Sequence, residues 1–107
     1  MNETFEILEG IEGDVHLLRV RGELDISTAP RLDHRLRTLL EQPSQIVLDL
    51  SELAFLDSTG IAVLITAARA ADRDGGGFAV RAVSPNARRV LELSGVAEKV
   101  NLLPGQP

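Results

Sequence analysis

The chain contains no cysteine, no tryptophan and no tyrosine, and only 3% of its 107 residues are aromatic. The lack of cysteine excludes disulfide bonds and thiolate metal sites, which suits a reducing cell interior. No apolar run approaches the roughly 20 residues of a membrane span. The N-terminal residues also lack the basic and apolar regions of a signal peptide. We therefore expect a cytoplasmic protein without a membrane partner.

Positive charge is scarce, since 11 basic residues face 16 acidic ones and the net charge is −5. Nucleic-acid binding needs clustered cations that displace counterions from the phosphate backbone, so we expect no nucleic-acid partner. A chain of 107 residues is long enough for one hydrophobic core and too short for two. We expect a single domain over residues 1–107, with residues 104–107 as a loose tail.

Hydrophobic periodicity predicts the element order β-β-α-β-α-β-α, followed by a small C-terminal piece. The predicted strands lie at Phe5–Ile7, Val15–Val20, Gln45–Leu50 and Phe78–Val83. Gln45–Leu50 is continuously apolar, as in a strand buried on both faces. Leu53–Leu56 also reads as extended chain. In Val15–Val20 one face is apolar and the other is partly polar, which predicts a sheet with one side open to solvent.

The first predicted helix is capped by Ser27 or Thr28 and has Pro30 in its first turn. Its apolar residues recur at helical spacing and form one stripe that faces the core. Pro43 closes the segment.

The second predicted helix runs to about Asp74, where three glycines end it. Its predicted inner stripe consists of Ile61, Leu64, Ile65, Ala68 and Ala71.

A third helix begins at Ser84-Pro85, ends at Gly95 and has a predicted inner stripe of Ala87, Val90, Leu91 and Leu93. Val96–Leu103 is interpreted as a short helix followed by a marginal strand. The fold class is α/β, with a mixed four- to five-stranded sheet and helices packed mainly on one face.

The motif Asp57-Ser58-Thr59-Gly60 places an acid and a hydroxyl where an apolar strand gives way to an apolar helix. A serine at such a junction is a natural N-cap, and it also lies at the positive end of the helix dipole, where a phosphate is tolerated. A second strand-to-helix junction carries Asp25, which suits an Asx-type turn. From the residues alone, structural and binding roles both remain open at these two junctions.

An enzymatic reading of Ser58 finds little support. A serine nucleophile needs a nearby base, and the two histidines, His16 and His34, fall at ordinary surface positions. Leu56 stands where a nucleophile elbow requires glycine. The acidic residues show no metal-ligand spacing, and the triple glycine ends a helix instead of cradling a phosphate. We expect no catalytic residue, no metal and no cofactor.

Three segments, in this order, resemble the STAS domains of bacterial anti-sigma factor antagonists. They are Val20–Asp25 with Thr28-Ala29, then Ile46–Leu50, then Leu56–Ile61. The resemblance implies a single-domain STAS-like fold, and it places phosphorylation on Ser58, with Thr59 as a less favoured second hydroxyl. The partner-binding residues that it implies are Asp25, Asp57, Ser58, Thr59 and Gly60.

The resemblance also implies a function. The unphosphorylated form would bind an anti-sigma factor that has Ser kinase activity and so free a sigma factor. Phosphorylation at Ser58 would abolish this binding, and a Ser phosphatase would restore it. The alternative is a constitutive STAS interaction module or scaffold, in a stress-signalling or lipid-transport complex, in which Ser58 only caps its helix.

Overall fold

The structure, a computed structural model, describes residues 5–81 and 83–104, which form five strands and three helices. Their order is β1 (Glu6–Glu12), β2 (Val15–Leu24), α1 (Ala29–Leu39), β3 (Gln45–Asp49), β4 (Leu53–Leu56), α2 (Ser58–Arg73), β5 (Gly77–Arg81) and α3 (Pro85–Leu93). The predicted α/β class is confirmed. Strand β4, predicted only as extended chain, adds one strand to the predicted order.

The strands form one mixed sheet in the order β1-β2-β3-β5, with β4 also paired to β2. β1 runs antiparallel to β2, and the other pairs are parallel. β3 pairs with Val15–Arg19 at the start of β2, whereas β4 pairs with Gly22–Leu24 at its end. The ends of β2 and β4 therefore lie side by side.

The two faces of the sheet differ in burial, as the alternation in β2 predicts. Leu18 and Val20 are fully buried in the core. On the opposite face Leu17 is half-buried, while Arg19 and Arg21 are exposed. The core side also carries the paired residues of the neighbouring strands, so the helices cover this side and the other stays open to solvent.

Asp49 is the one charged side chain that is buried among the described residues, at 6% exposure. Its Oδ1 accepts hydrogen bonds from the Ser51 N–H at 2.9 Å and the Ser51 hydroxyl at 2.7 Å. Arg19 lies 3.8 Å from its Oδ2. These contacts satisfy a carboxylate at the end of a strand that the sequence predicts to be apolar throughout.

The inner stripe predicted for α2 is partly wrong. Leu64 and Ala71 are buried as predicted, and the other buried residues are Gly60 and Ala67. The residues Ile61, Ile65 and Ala68 are only partly buried. α2 packs against both α1 and β5, and three of its four buried residues are small, which allows close packing.

The C-terminal end of α2 and both ends of α3 follow the predicted signals. Ser84 caps α3, its hydroxyl accepting the Ala87 N–H at 3.3 Å. Gly75 and Gly95 adopt φ values of +82° and +78°, which glycine reaches without steric cost. The prediction that Leu93 faces inward is wrong, since its side chain is 75% exposed. The buried residues of α3 are Ala87 and Leu91.

The C-terminal segment differs from its prediction. Residues 97–101 form turns instead of a helix, while Leu102 makes an isolated parallel bridge to Val80. Pro104 is exposed. Residues 105–107 of the predicted tail, and Ala82 of the predicted last strand, lie outside the described residues.

Gly76 provides a stability test of the connection between α2 and β5. A Cβ at this position would collide with the Ser44 carbonyl oxygen and lie 2.9 Å from the Ser44 N. We expect Gly76→Ala to lower the free energy of unfolding by about 1–3 kcal/mol, measured by urea denaturation. Gly10→Ala is the control, since nothing lies within 4 Å of a Cβ there. Equal losses in the two variants would contradict this packing role.

Candidate functional site

The two strand-to-helix junctions that the sequence singles out meet at one corner of the domain. Leu24 of β2 pairs with Leu56 of β4, and both strands run in the same direction. The N–H of Asp57 donates to the Leu24 carbonyl at 3.3 Å. Since the carboxyl ends of parallel strands lie at one edge of a sheet, the loop that begins at Asp25 lies beside the start of α2.

The N-cap of α2 is Asp57 and not Ser58. The Asp57 Oδ1 accepts the Gly60 N–H at 3.1 Å, and its carbonyl accepts the Ile61 N–H at 3.0 Å. Asp57 has the extended backbone that this position requires, with φ −114° and ψ −174°. The prediction that Ser58 caps the helix is therefore wrong, because the neighbouring acid has taken that role.

Ser58 is the first residue of α2, and its side chain is exposed, whereas Thr59 is half-buried. Within residues 5–81 and 83–104, the hydroxyls of both residues make no hydrogen bond to protein groups. Of the two candidate hydroxyls, that of Ser58 is the more accessible to an enzyme that would modify it.

Gly60 is buried beneath this corner. A Cβ on Gly60 would lie 2.8 Å from both Leu24 Cγ and Leu56 Cδ1. The missing side chain therefore lets the first turn of α2 rest directly on the ends of β2 and β4. Sequence reasoning missed this packing role, and only the apolar strand ends around the motif hint at it. A part for Gly60 in partner binding stays a prediction.

Asp25 organises the loop before α1. Its Oδ1 accepts the Ser27 N–H at 2.9 Å, the Ser27 hydroxyl at 2.7 Å and the Thr28 N–H at 3.2 Å. The Asx-type turn expected at this junction is confirmed. Thr28 is the N-cap residue of α1 but makes no side-chain capping bond. Its hydroxyl instead donates to the Glu23 carbonyl at 2.6 Å and accepts the Asp25 N–H at 3.0 Å.

The same hydrogen bonds tune the charge of Asp25. The Ser27 hydroxyl, followed by the backbone N–H groups of Ser27 and Thr28, lowers the pKa of Asp25 from 3.8. Hydrogen bonds to a carboxylate favour its charged form. The corner therefore carries a carboxylate that stays ionised throughout the neutral range.

No three His, Cys, Asp or Glu side chains within the described part of the chain are grouped in a way that could hold a metal ion. Likewise, none of the helices in residues 5–81 and 83–104 has the length and apolar character needed to cross a membrane.

Comparison with known proteins identifies the family. A family model described as "Mlab, STAS domain" matches residues 7–104. The chain therefore belongs to the STAS-domain family, as its motifs indicate.

Several related proteins carry a functional name. The anti-sigma-B factor antagonist of Bacillus subtilis (strain 168) is 25% identical over 102 residues, which cover 95% of this chain and 92% of that protein. The anti-sigma F factor antagonist of Paenibacillus polymyxa is 33% identical over 84 residues, which cover 77% and 72%. A crystal structure of an anti-sigma factor antagonist from Mycobacterium paratuberculosis superimposes with a TM-score of 0.84 at 29% identity, covering 94% of this chain and 86% of that one.

The reassigned N-cap predicts different stabilities for two neighbouring variants. We expect Asp57→Ala to lower the free energy of unfolding by about 1 kcal/mol, since it leaves the Gly60 N–H without its acceptor. Ser58→Ala should change it by much less. Urea denaturation measures both, and Asp57→Asn, which keeps an acceptor, serves as the control. A loss in Ser58→Ala as large as that in Asp57→Ala would contradict the assignment.

The pKa of Asp25 provides a second test of the site. Ser27→Ala removes the strongest hydrogen bond to its carboxylate, so the pKa should rise toward 3.8. A lowered pKa stabilises the turn above about pH 4, and this contribution is lost as the pH falls through the folded-state value. An NMR titration of the carboxyl carbon measures the shift.

Ser94→Ala is the control for this titration, since the Ser94 hydroxyl bonds to the Leu91 carbonyl instead. An unchanged pKa of Asp25 in Ser27→Ala would show that the hydroxyl does not set it.

Proposed function

We propose that this protein is an anti-sigma factor antagonist and that phosphorylation of Ser58 switches its binding. Membership of the STAS family and the names of its relatives support the general role. The proposal of a phosphorylation switch rests on one observation. Ser58 is the exposed first residue of α2, and its hydroxyl is not needed to cap the helix. Such a group can be modified without removing a contact that holds the fold.

In this proposal the unphosphorylated protein binds an anti-sigma factor with Ser kinase activity, and this binding frees a sigma factor. The kinase then phosphorylates Ser58 and the complex separates, after which a Ser phosphatase returns the protein to its binding form. The protein is a regulatory binding protein and a substrate of these enzymes. We propose that it acts in the cytoplasm as a single STAS domain and needs no cofactor.

Electrostatics at the start of α2 fit a modification that the fold tolerates. The helix dipole favours a negative group there by about 0.3–1 kcal/mol. The Asp57 carboxylate opposes it: two unit charges about 6 Å apart repel by about 0.7 kcal/mol in water and about 3 kcal/mol at an effective dielectric of 20. For the solvent-exposed Ser58 the value in water applies, so the opposing terms are of similar size, and the N-cap bond lies on Asp57. The free phosphorylated protein should therefore remain folded.

A partner interface changes this balance. There the added charge of about −1.5 to −2 must be desolvated or sterically accommodated. A loss of about 3–4 kcal/mol corresponds to an affinity on the order of 100- to 1000-fold lower. The modification should therefore act on binding and leave folding nearly unchanged.

Incubation with a cognate anti-sigma kinase and ATP, followed by mass spectrometry, tests the phosphorylation site. We expect the phosphate on Ser58, lost in Ser58→Ala and retained in Thr59→Ala. Ser58→Asp should weaken binding to the kinase while the thermal midpoint stays within a few degrees. Phosphate on another residue would contradict the assignment of Ser58.

The same variants address the alternative of a constitutive interaction module. In such a module Ser58 takes no part in regulation. Equal affinities of the wild type, Ser58→Ala and Ser58→Asp for the partner would favour that alternative.

A further inference from the structure

Ile26 stands out beside the proposed phosphorylation site because its side chain is 75% exposed. A single exposed apolar residue is common on protein surfaces and carries no argument by itself. Ile11, at 70% exposure, is a comparable case elsewhere on the domain. What distinguishes Ile26 is the loop that carries it and the place of that loop.

The loop around Ile26 is held by hydrogen bonds among its own residues. On either side of Ile26, the Asp25 carboxylate accepts from the backbone and hydroxyl of Ser27, at 2.9 and 2.7 Å. Thr28 adds two bonds through its hydroxyl, to the Glu23 carbonyl and from the Asp25 N–H. A β-branched side chain on such a backbone has few rotamers to lose. Its insertion into a partner would therefore cost little entropy.

The loop and Ser58 belong to the same corner. The hydrogen bond between the Asp57 N–H and the Leu24 carbonyl joins the two junctions. Ile26 lies two residues beyond Leu24, and Ser58 lies one residue beyond Asp57. Because an extended chain spans at most about 3.6 Å per residue, both residues lie within a few ångströms of that hydrogen bond. One partner surface can therefore contact both.

We infer that Ile26 is the apolar anchor of the partner surface and enters an apolar pocket on the anti-sigma factor beside the groups that approach Ser58. We further infer that Asp25 is a positioning residue, whose Oδ1 holds the loop that displays Ile26. The inference rests on the proposed function and names the chemistry by which that partner recognises this chain.

The hydrogen bonds of Asp25 support this division of roles. Its Oδ1 is occupied by three donors from its own loop. These bonds also account for the lowered pKa of Asp25, whose first cause is the Ser27 hydroxyl. A few residues that fill well-packed, desolvated pockets near the centre of an interface carry most of its binding energy. Ile26 is the exposed apolar side chain that this loop offers for such a role.

The test is to measure the affinity of the anti-sigma kinase for Ile26→Ser and for the matched control Ile11→Ser. Ile11 pairs with His16 near the start of β2, eight residues before Leu24, which places it about 26 Å from the loop. We expect Ile26→Ser to bind on the order of 10- to 100-fold more weakly. Ile11→Ser should bind like the wild type. Equal affinities of these two variants would overturn the inference.

Two variants of Asp25 separate positioning from direct contact. Asp25→Asn keeps an oxygen that can accept the loop bonds, so it should retain nearly full affinity. Asp25→Ala releases the loop, and Ile26→Ser added to it should then weaken binding much less than in the wild-type background. Strong loss in Asp25→Asn, or additive losses in the double variant, would overturn the positioning role.

Binding by the wild type distinguishes a failure of this inference from a failure of the proposed function. If the wild type binds the kinase and Ser58→Asp does not, while Ile26→Ser binds normally, only the anchor is refuted. If the wild type does not bind any cognate anti-sigma kinase, the proposed function fails and the anchor fails with it. Thermal unfolding of each variant confirms that the folded protein is compared.

Discussion

The geometry of the candidate site depends on the parallel pairing of β2 with β4. This pairing sets Leu24 opposite Leu56 and lets the Asp57 N–H reach the Leu24 carbonyl. A shift of one residue would turn the alternate side chains of β4 to the other face and move the start of α2. The contact also requires that Gly60 carry no side chain, since a Cβ would press on both leucines. The position of Ser58 follows from these packing constraints.

Asp25 and Asp57 both hold local structure at this corner through hydrogen bonds. The exposed Ser58 hydroxyl takes no part in those bonds. Asp57 binds the Gly60 N–H and closes the first turn of α2. Asp25 binds the turn that leads into α1. Ser58 lies beside Asp57 without sharing its bond, so a phosphate there would remove no contact on which the helix depends. In this arrangement Asp57 stabilises the helix, and the proposed regulation would act on the adjacent Ser58.

Local sequence patterns predict much of this fold, because strand alternation, helix stripes and turn glycines act over a few residues. The cap at Ser84, the stop at Gly75 and the turn at Asp25 are all of this kind. Local pattern does not decide whether Asp57 or Ser58 is the N-cap, since that depends on which residue the strand pairing leaves extended. The same holds for Gly60, whose close neighbours come from two strands. Such contacts join segments that are distant in sequence, so the local spacing of apolar residues does not predict them.

The acidic charge near Ser58 would allow the proposed phosphorylation to have a large effect on binding. Asp25 is held in its ionised form by its loop, and Asp57 stands at the other junction. A phosphate on Ser58 would add about −1.5 to −2 charges to this acidic corner of a chain whose net charge is already −5. In water such charges are well screened, so the free protein tolerates them. In an interface they lose that screening, and a partner that packs an apolar pocket over Ile26 would be forced to desolvate them. Burial of Ile26 in a partner would therefore also desolvate a phosphate on Ser58, and this cost links the proposed anchor to the proposed switch.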